Sequence, residues 1–286
     1  MSIYALTLVV LAAVLHALWN LITKQVKGGL PFFWLVSTVS AVLSFPFLIW
    51  ELSKTGIPHD GLTLGLALGS AVLHVFYFVA LQVGYHKADL SIVYPVARGV
   101  GPLLSVAGAV ILFGERPGWA AVAGFILIIG GVVFLTGFKL KGANHGVLQG
   151  LFYGSLTGLF IAAYTLWDKS AVVNHHVSAL FITFASVLLP LVLLIPVVLK
   201  KRVEVKQEWT IHWKQITGVA VLQPLSYILV LVAMKTTPLT YVAPIRELSI
   251  VFGVFFGVNL LKEKDSTKRM IAAVVILGGI VMLALS

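Results

Sequence analysis

The chain has 286 residues, 59% of them hydrophobic and only 10% charged, with a mean hydropathy of +1.03. A soluble domain carries roughly 25% charged residues, and no soluble fold of this length could cover so much apolar surface with so few charges. The net charge of +10 does not mark a nucleic-acid binder, because the Lys and Arg residues flank apolar runs instead of clustering. Cysteine is absent, which excludes disulfides and thiolate metal sites.

A hydrocarbon core of about 30 Å needs roughly 20 apolar residues in a helix, and ten runs of about that length follow one another. The first, residues 3–22, has no basic leader and is long enough to span, so it is expected to be a retained helix rather than a signal peptide. Runs at 32–50, 62–83, 90–113 and 119–136 follow, and then a second set at 147–167, 179–199, 216–234, 239–261 and 270–285. Turn residues fill the short connections, as in "KGGLP" (27–31), "GIPHDG" (56–61), "GERPG" (114–118) and "KGANHG" (141–146). The only long hydrophilic connection is "KKRVEVKQEWTIHWK", residues 200–214. Ten-residue alternating segments, the mark of a transmembrane barrel, are not seen.

The two sets are copies. Arg98 and Arg246 are 148 residues apart, as are Glu115 and Glu263, and Gly130-Gly131 and Gly278-Gly279. Nearer the start of each half the offset slips to 145, pairing Trp19 with Tyr164 and Lys24 with Lys169. Each copy holds five spans, an odd number, so the second must be inverted relative to the first. The expected architecture is an all-α polytopic membrane protein of ten transmembrane helices, with repeats over residues 1–138 and 146–286 around a central cavity. Inverted repeats mark secondary transporters, whose substrate sites lie near the midplane between the repeats.

Connections after odd-numbered spans carry fourteen Lys and Arg residues, and those after even-numbered spans only Lys54, Arg116, Lys169 and Lys235. Positive-inside logic puts the basic connections in the cytoplasm and both termini outside a cell (inner) membrane.

Polar residues inside the spans are the candidate site. His16, Trp19 and Asn20 fall on one face of the first span, where they either line the cavity or hydrogen-bond a neighbouring helix. His74, Tyr77 and Phe78 repeat that spacing in the third span, and Tyr153, Thr157 and Tyr164 run down one face of the sixth. Tyr94 and Tyr227 complete the aromatic set. Arg98 lies eight residues inside the fourth span, about 12 Å deep, where a charge needs a partner or water. Arg246 is its counterpart in the ninth. Together they would make a cationic site suited to carboxylate or phosphate, unless Arg246 pairs with an acid and locks the repeats. Glu247 reads as the only acid well inside an apolar span: a counter-ion for Arg98, a ligand for a substrate amine, or a proton carrier. Glu115 and Glu263 end the fourth and ninth spans as pairing or gating residues. Pro95 and Pro244 are expected to break the starts of the arginine-bearing spans. Gly99, Gly101, Gly108, Gly130 and Gly131 are expected to let helices approach closely. His175-His176 is a loop pair without further ligands. No nucleotide-binding loop, hydrolase triad or zinc-ligand pattern stands out, so no cofactor is expected.

The stretches "LHALWNLITKQ" (15–25), "ADLSIVYPVARGVGPLL" (88–104), "AAYTLWDKSA" (162–171) and "YVAPIRELSIVFG" (241–253) with "LLKEK" resemble the EamA family of the drug/metabolite transporter superfamily, over essentially the whole chain. The "LHALWN" opening looks most like a branch associated with phosphonate utilisation. The resemblance implies ten helices in two repeats, a central cavity and alternating access. Eukaryotic relatives that carry nucleotide sugars keep their termini cytosolic, opposite to the charge count here. Phosphate-translocating relatives have basic residues at the places of Lys24 and Lys169, which otherwise read as interfacial anchors with long stems, and a basic pair at the place of Arg246-Glu247, where this chain has an acid second. That departure favours a zwitterion over a purely phosphate-like substrate.

The function expected is therefore secondary transport of a small polar organic metabolite, an anion or an amino-acid-like zwitterion. The rival is an intramembrane enzyme or scaffold acting on a lipid-linked substrate through His16 and His74. Expected partners are the substrate, the bilayer and, through a titratable His or Glu, protons; nucleic acid is not among them, and both monomer and homodimer fit.

Overall fold

The computed structural model describes residues 1–26, 29–56, 58, 60–88, 90–136, 145–261 and 266–285. The helices are α1 (Ile3–Val26), α2 (Leu30–Thr55), α3 (Gly61–Lys87), α4 (Leu90–Phe113), α5 (Trp119–Thr136), α6 (His145–Lys169), α7 (Ala179–Lys200), α8 (Arg202–Met234), α9 (Leu239–Ile245), α10 (Leu248–Leu261) and α11 (Ser266–Leu285). Seven of them are long and apolar enough to cross a bilayer, and α5 and α11 are shorter apolar helices. The pair α9–α10 makes the remaining span, so eleven helices form ten crossings in two inverted sets of five.

Local chemistry sets several ends. Asp60 caps α3 by accepting from the Thr63 amide at 2.7 Å. Ser178 accepts from the Leu180 and Phe181 amides to cap α7, and donates to Glu51 at 2.8 Å. At the end of α4, Gly114 adopts φ +64°, which a side chain would resist.

The long hydrophilic connection is itself helical: α8 begins at Arg202, because "RVEVKQEWTIHW" has neither Gly nor Pro to stop a helix, and a kink at His212 (φ −120°) divides this polar stretch from the expected eighth span. The sixth span also runs on: α6 continues into a π-helical turn at Ser170–Asn174, carrying Asp168 and Lys169 inside the protein. Pro95 does not break α4, which is continuous from Leu90 to Phe113. In the ninth span the break falls after Pro244, at Arg246-Glu247, between α9 and α10.

The halves interleave. α1 packs on α8 and α10 of the second half, while α6 packs on α3 and α4 of the first. The α4–α6 contact is built on Gly150, Gly154 and Gly158, where an added Cβ would come within 2.8, 2.7 and 2.7 Å of Ile92, Val96 and Val100. α5 and α11 meet backbone to backbone at Gly124 and Gly279. Of the glycines expected at contacts, Gly101, Gly108 and Gly131 face Ile161, Leu166 and Ile276, but Gly99 and Gly130 face open space. Pro224 has no N–H to offer the Ala220 carbonyl, and the Ser40 hydroxyl of α2 donates to it instead at 2.8 Å.

The side bearing the termini and the side bearing the basic connections are built differently. On the terminus side, the first half of α1 (Val9, Ala12, Ala13), the start of α3 (Leu66, Ala67) and the end of α8 (Val230, Leu231, Met234) join one continuous apolar core. A second, smaller cluster around Phe32, Ile216 and Val219 lies towards the basic side. The cavity lies about the midplane, reaching Ala12, Ala13, Thr183 and Val230 towards the terminus side and Thr23, Tyr85 and Tyr94 towards the basic side.

Candidate functional site

The cavity has two joined lobes of about 150 and about 250 Å³ that share His16, Trp19, Tyr77, Arg98, Tyr164, Gln223 and Arg246. The lobe nearer the terminus side adds His74, Thr183, Ser186 and Tyr227. The other adds Asn20, Thr23, Phe33, Phe78, Tyr85, Tyr94, Thr165 and Glu247. Thr23, Tyr85 and Tyr94 belong to the basic-side ends of α1, α3 and α4, so this lobe leads that way.

Arg98 reaches the wall from the unbroken α4. Its Nη2 donates to Ser249 Oγ at 2.7 Å, and its Nε lies 3.2 Å from Glu247 Oε2. Glu247 is only 3% exposed, so the two charges neutralise each other where water is scarce. The break between α9 and α10 makes this pairing possible. Below it the chain turns through i→i+3 bonds, Ser249 N–H to the Arg246 carbonyl and Ile250 N–H to the Glu247 carbonyl, and Glu247 is swung towards α4.

Arg246 lines both lobes and is in no ion pair among the described residues. Its guanidinium stands 5.9 Å from the centre of the Tyr227 ring. Around it the wall holds buried donors without a protein partner: the indole N–H of Trp19 and the hydroxyl of Thr165. His16 packs edge-on against Trp19 at 4.9 Å, and Asn20 turns its amide back to the His16 carbonyl at 2.7 Å. His74 stacks on Tyr164 at 4.1 Å, and Tyr77 stands edge-on to that tyrosine at 5.7 Å.

Tyr153 is not brought to the cavity. Its ring lies 5.4 Å from Lys87 Nζ, and its Cβ packs on Gly84. Thr157, one turn on, donates to the Tyr153 carbonyl and does reach the wall.

Three features escape a reading of the sequence. Gln223 and Ser249 are polar residues in apolar runs, with no pattern to single them out. Asp168 is a second buried acid, so Glu247 is not the only one; it sits just past the apparent end of the sixth span and accepts a hydrogen bond from the Tyr227 hydroxyl. The glycine ladder at 150, 154 and 158, by contrast, is a small-x-x-x-small pattern that a scan for helix contacts finds.

Beyond the cavity on the terminus side lies a polar cluster around Glu115. Glu115, in the turn after α4, forms an ion pair with Lys169 at the end of α6. It also accepts from the Leu239 and Thr240 amides at 2.8 Å each, at the N-terminus of α9. Burial pushes the Glu115 carboxyl up, but Lys169 and the amides of Thr240 and Leu239 outweigh it and hold it below the usual carboxylate range. This one side chain ties the first half to two helices of the second. Glu263, its counterpart by sequence, lies outside the described residues.

The sequence profile of the EamA-like transporter family matches residues 3–137 and again residues 148–285. The chain belongs to that family. A solved crystal structure of another protein superposes with a TM-score of 0.73, over 98% of this chain and 96% of its own, at 18% sequence identity; that likeness shows the fold alone. A comparison with curated proteins finds no match. As an EamA-like transporter the chain is an integral membrane protein, and the cavity between its repeats is the candidate substrate site.

Proposed function

We propose that this EamA-like chain is a secondary transporter of a small organic anion, with Arg246 as the head-group ligand. The observation that carries this reading is the asymmetry of the two cavity arginines. Arg98 is neutralised by Glu247, whereas Arg246 keeps an unpaired charge in a cavity also lined by Trp19, whose N–H has no protein partner. Carboxylate or phosphonate oxygens can accept from both, while Phe33, Tyr77, Phe78 and Tyr85 give the body of the substrate an apolar, aromatic wall. The amine of a zwitterion would need Glu247, whose carboxylate is engaged by Arg98, so the anion is the better match.

Transport proceeds by alternating access. The Glu115–Lys169–α9 cluster acts as the seal of the terminus side, and the lobe at Thr23, Tyr85 and Tyr94 supports access from the basic side. Opening the seal and closing the basic side, with α9 and α10 pivoting at Arg246-Glu247, carries the bound anion across. With the basic side cytoplasmic, as the fourteen-to-four charge bias supports, this access is from the cytoplasmic side of a cell membrane. A reporter active only in the cytoplasm, fused after residue 286, should then be silent, and strong activity would invert the orientation.

The reading is tested on purified protein with benzoate, phenylphosphonate, benzylamine and benzyl alcohol, by thermal shift and calorimetry. The two anions should stabilise the protein and the amine and alcohol should not. Arg246→Gln should weaken anion binding by about ten- to a hundred-fold, the worth of a charge-assisted hydrogen bond of roughly 1.5–3 kcal/mol. Stabilisation by benzylamine equal to that by benzoate, or no response to any anion at millimolar concentration, removes the reading.

A further inference from the structure

Three charged side chains are buried among the described residues: Asp168, Lys169 and Glu247. Lys169 is paired with Glu115 and Glu247 with Arg98. Asp168, 0% exposed, is in no ion pair among the described residues. Its Oδ2 accepts from the Tyr227 hydroxyl of α8, and its Oδ1 has no hydrogen-bond partner. A carboxylate left there as an anion bears a heavy desolvation penalty with hydroxyl donors but no fixed counter-charge to offset it. A protonated carboxyl does not.

The groups around Asp168 connect it to the cavity. From α3, Ser70 and His74 face it. The Nδ1 of His74 is 2.9 Å from the Ser70 carbonyl, a contact that needs the proton on Nδ1 and leaves Nε2 free to take up or release one. The same imidazole lines the cavity and stacks on Tyr164 of α6. From α7 comes the Ser186 hydroxyl, 3.2 Å from Ser70 Oγ. Arg246 lies beyond the Tyr227 ring, and Arg98 of α4 is tied to Glu247. The nearest cation in sequence is Lys169, turned away to Glu115.

We propose that Asp168 is a proton-binding site coupled to the seal: its carboxyl holds a proton while Lys169 holds Glu115, and passes it through His74 to the cavity when the seal opens. The proton leaves the Asp168 carboxyl for the His74 imidazole and then for water, and no other bond changes. Opening the seal releases Lys169 one residue from Asp168, and that cation favours the carboxylate. Closing it takes the cation away and favours the acid. One proton is thereby linked to one gating step, which makes the transporter proton-coupled. The inference rests on the transporter reading for its purpose, but not on Arg246 as the anion ligand.

The test needs no substrate. Infrared spectra of the purified protein should show a protonated-carboxyl stretch that persists at neutral pH. Labelling with heavy-carbon aspartate should shift it, since the other aspartates (Asp60, Asp89 and Asp265) lie in connections between the spans. The band should vanish in Asp168→Asn and remain in Glu247→Gln. In Glu115→Gln, which frees Lys169, it should titrate away at lower pH than in the wild type. The isotope shift is read on wild-type protein, so a poorly folding Asp168→Asn leaves the assignment testable. A band insensitive to labelled aspartate, or unmoved in Glu115→Gln, overturns the proposal. So does thermal stabilisation by sodium but not choline chloride with no band present, which would make the site one for a metal cation. Failure of benzoate and phenylphosphonate to bind would leave these spectra unchanged, so the two readings fail separately.

Discussion

α4 and the α9–α10 span carry an arginine at the same register of the repeat, and the fold treats the two in opposite ways. α4 is an unbroken helix whose Arg98 meets a carboxylate and a hydroxyl supplied by the other half. The second span breaks at its arginine, and the residue after the break, Glu247, is the carboxylate that Arg98 meets. Arg246 is left facing the cavity with an aromatic ring for company. A repeated motif thus yields one lock and one ligand, because the single acid between them can neutralise only one of the two.

The largest expected effect breaks the lock. Arg98→Gln strands Glu247 in the protein interior, and removing one partner of a buried pair costs about 3–5 kcal/mol. Folded yield and thermal stability should fall sharply. The double change Arg98→Met with Glu247→Met should recover most of the loss, since apolar replacement of a whole buried pair is often neutral. Wild-type stability for Arg98→Gln would mean that Glu247 has another partner and that the two arginines are equivalent.

Arg246→Gln should do the reverse. It removes a cation over Tyr227, worth about 0.5–1 kcal/mol of stability, while anion binding falls by the ten- to hundred-fold given above. If denaturation shows Arg246→Gln to be as damaging as Arg98→Gln, both arginines are structural and the comparison collapses.

The smallest effect concerns the seal that both spans frame. The chain has no cysteine, so a single Thr240→Cys, at a position now 2% exposed, reports opening of the terminus side to a membrane-impermeant maleimide. Adding Glu115→Gln should raise its labelling several-fold. Because the folded pKa of Glu115 is depressed, its stabilisation is complete above the ordinary glutamate value of about 4.3 and is lost as pH falls through the lower folded value. The labelling rate with Glu115 intact, divided by that of Glu115→Gln at the same pH to remove the thiolate's own pH dependence, should therefore stay low at about pH 5 and rise towards one only in stronger acid. A labelling rate that Glu115→Gln leaves unchanged would show that the apolar core alone closes this side.

The membrane class, the ten crossings and the two copies were legible because they depend on composition, run length and spacing, which water and hydrocarbon read directly from the sequence. Pro244 signalled a break, but its place two residues on could not be read, since the turn is set by i→i+3 bonds beyond the proline. Residues 202–214 looked like a loop because they are polar, yet polarity does not stop a helix that lacks Gly and Pro. Asp168 falls just past the expected end of the sixth span, where a charge after an apolar run normally marks that end. Only α3 and α8 closing over it, with Tyr227 arriving 59 residues later, made it a buried acid. The sequence by itself determined which charges enter the membrane. The tertiary structure decided which of them are paired, because pairing depends on distances of a few ångströms between helices that a bilayer-sized hydrophobic pattern does not encode.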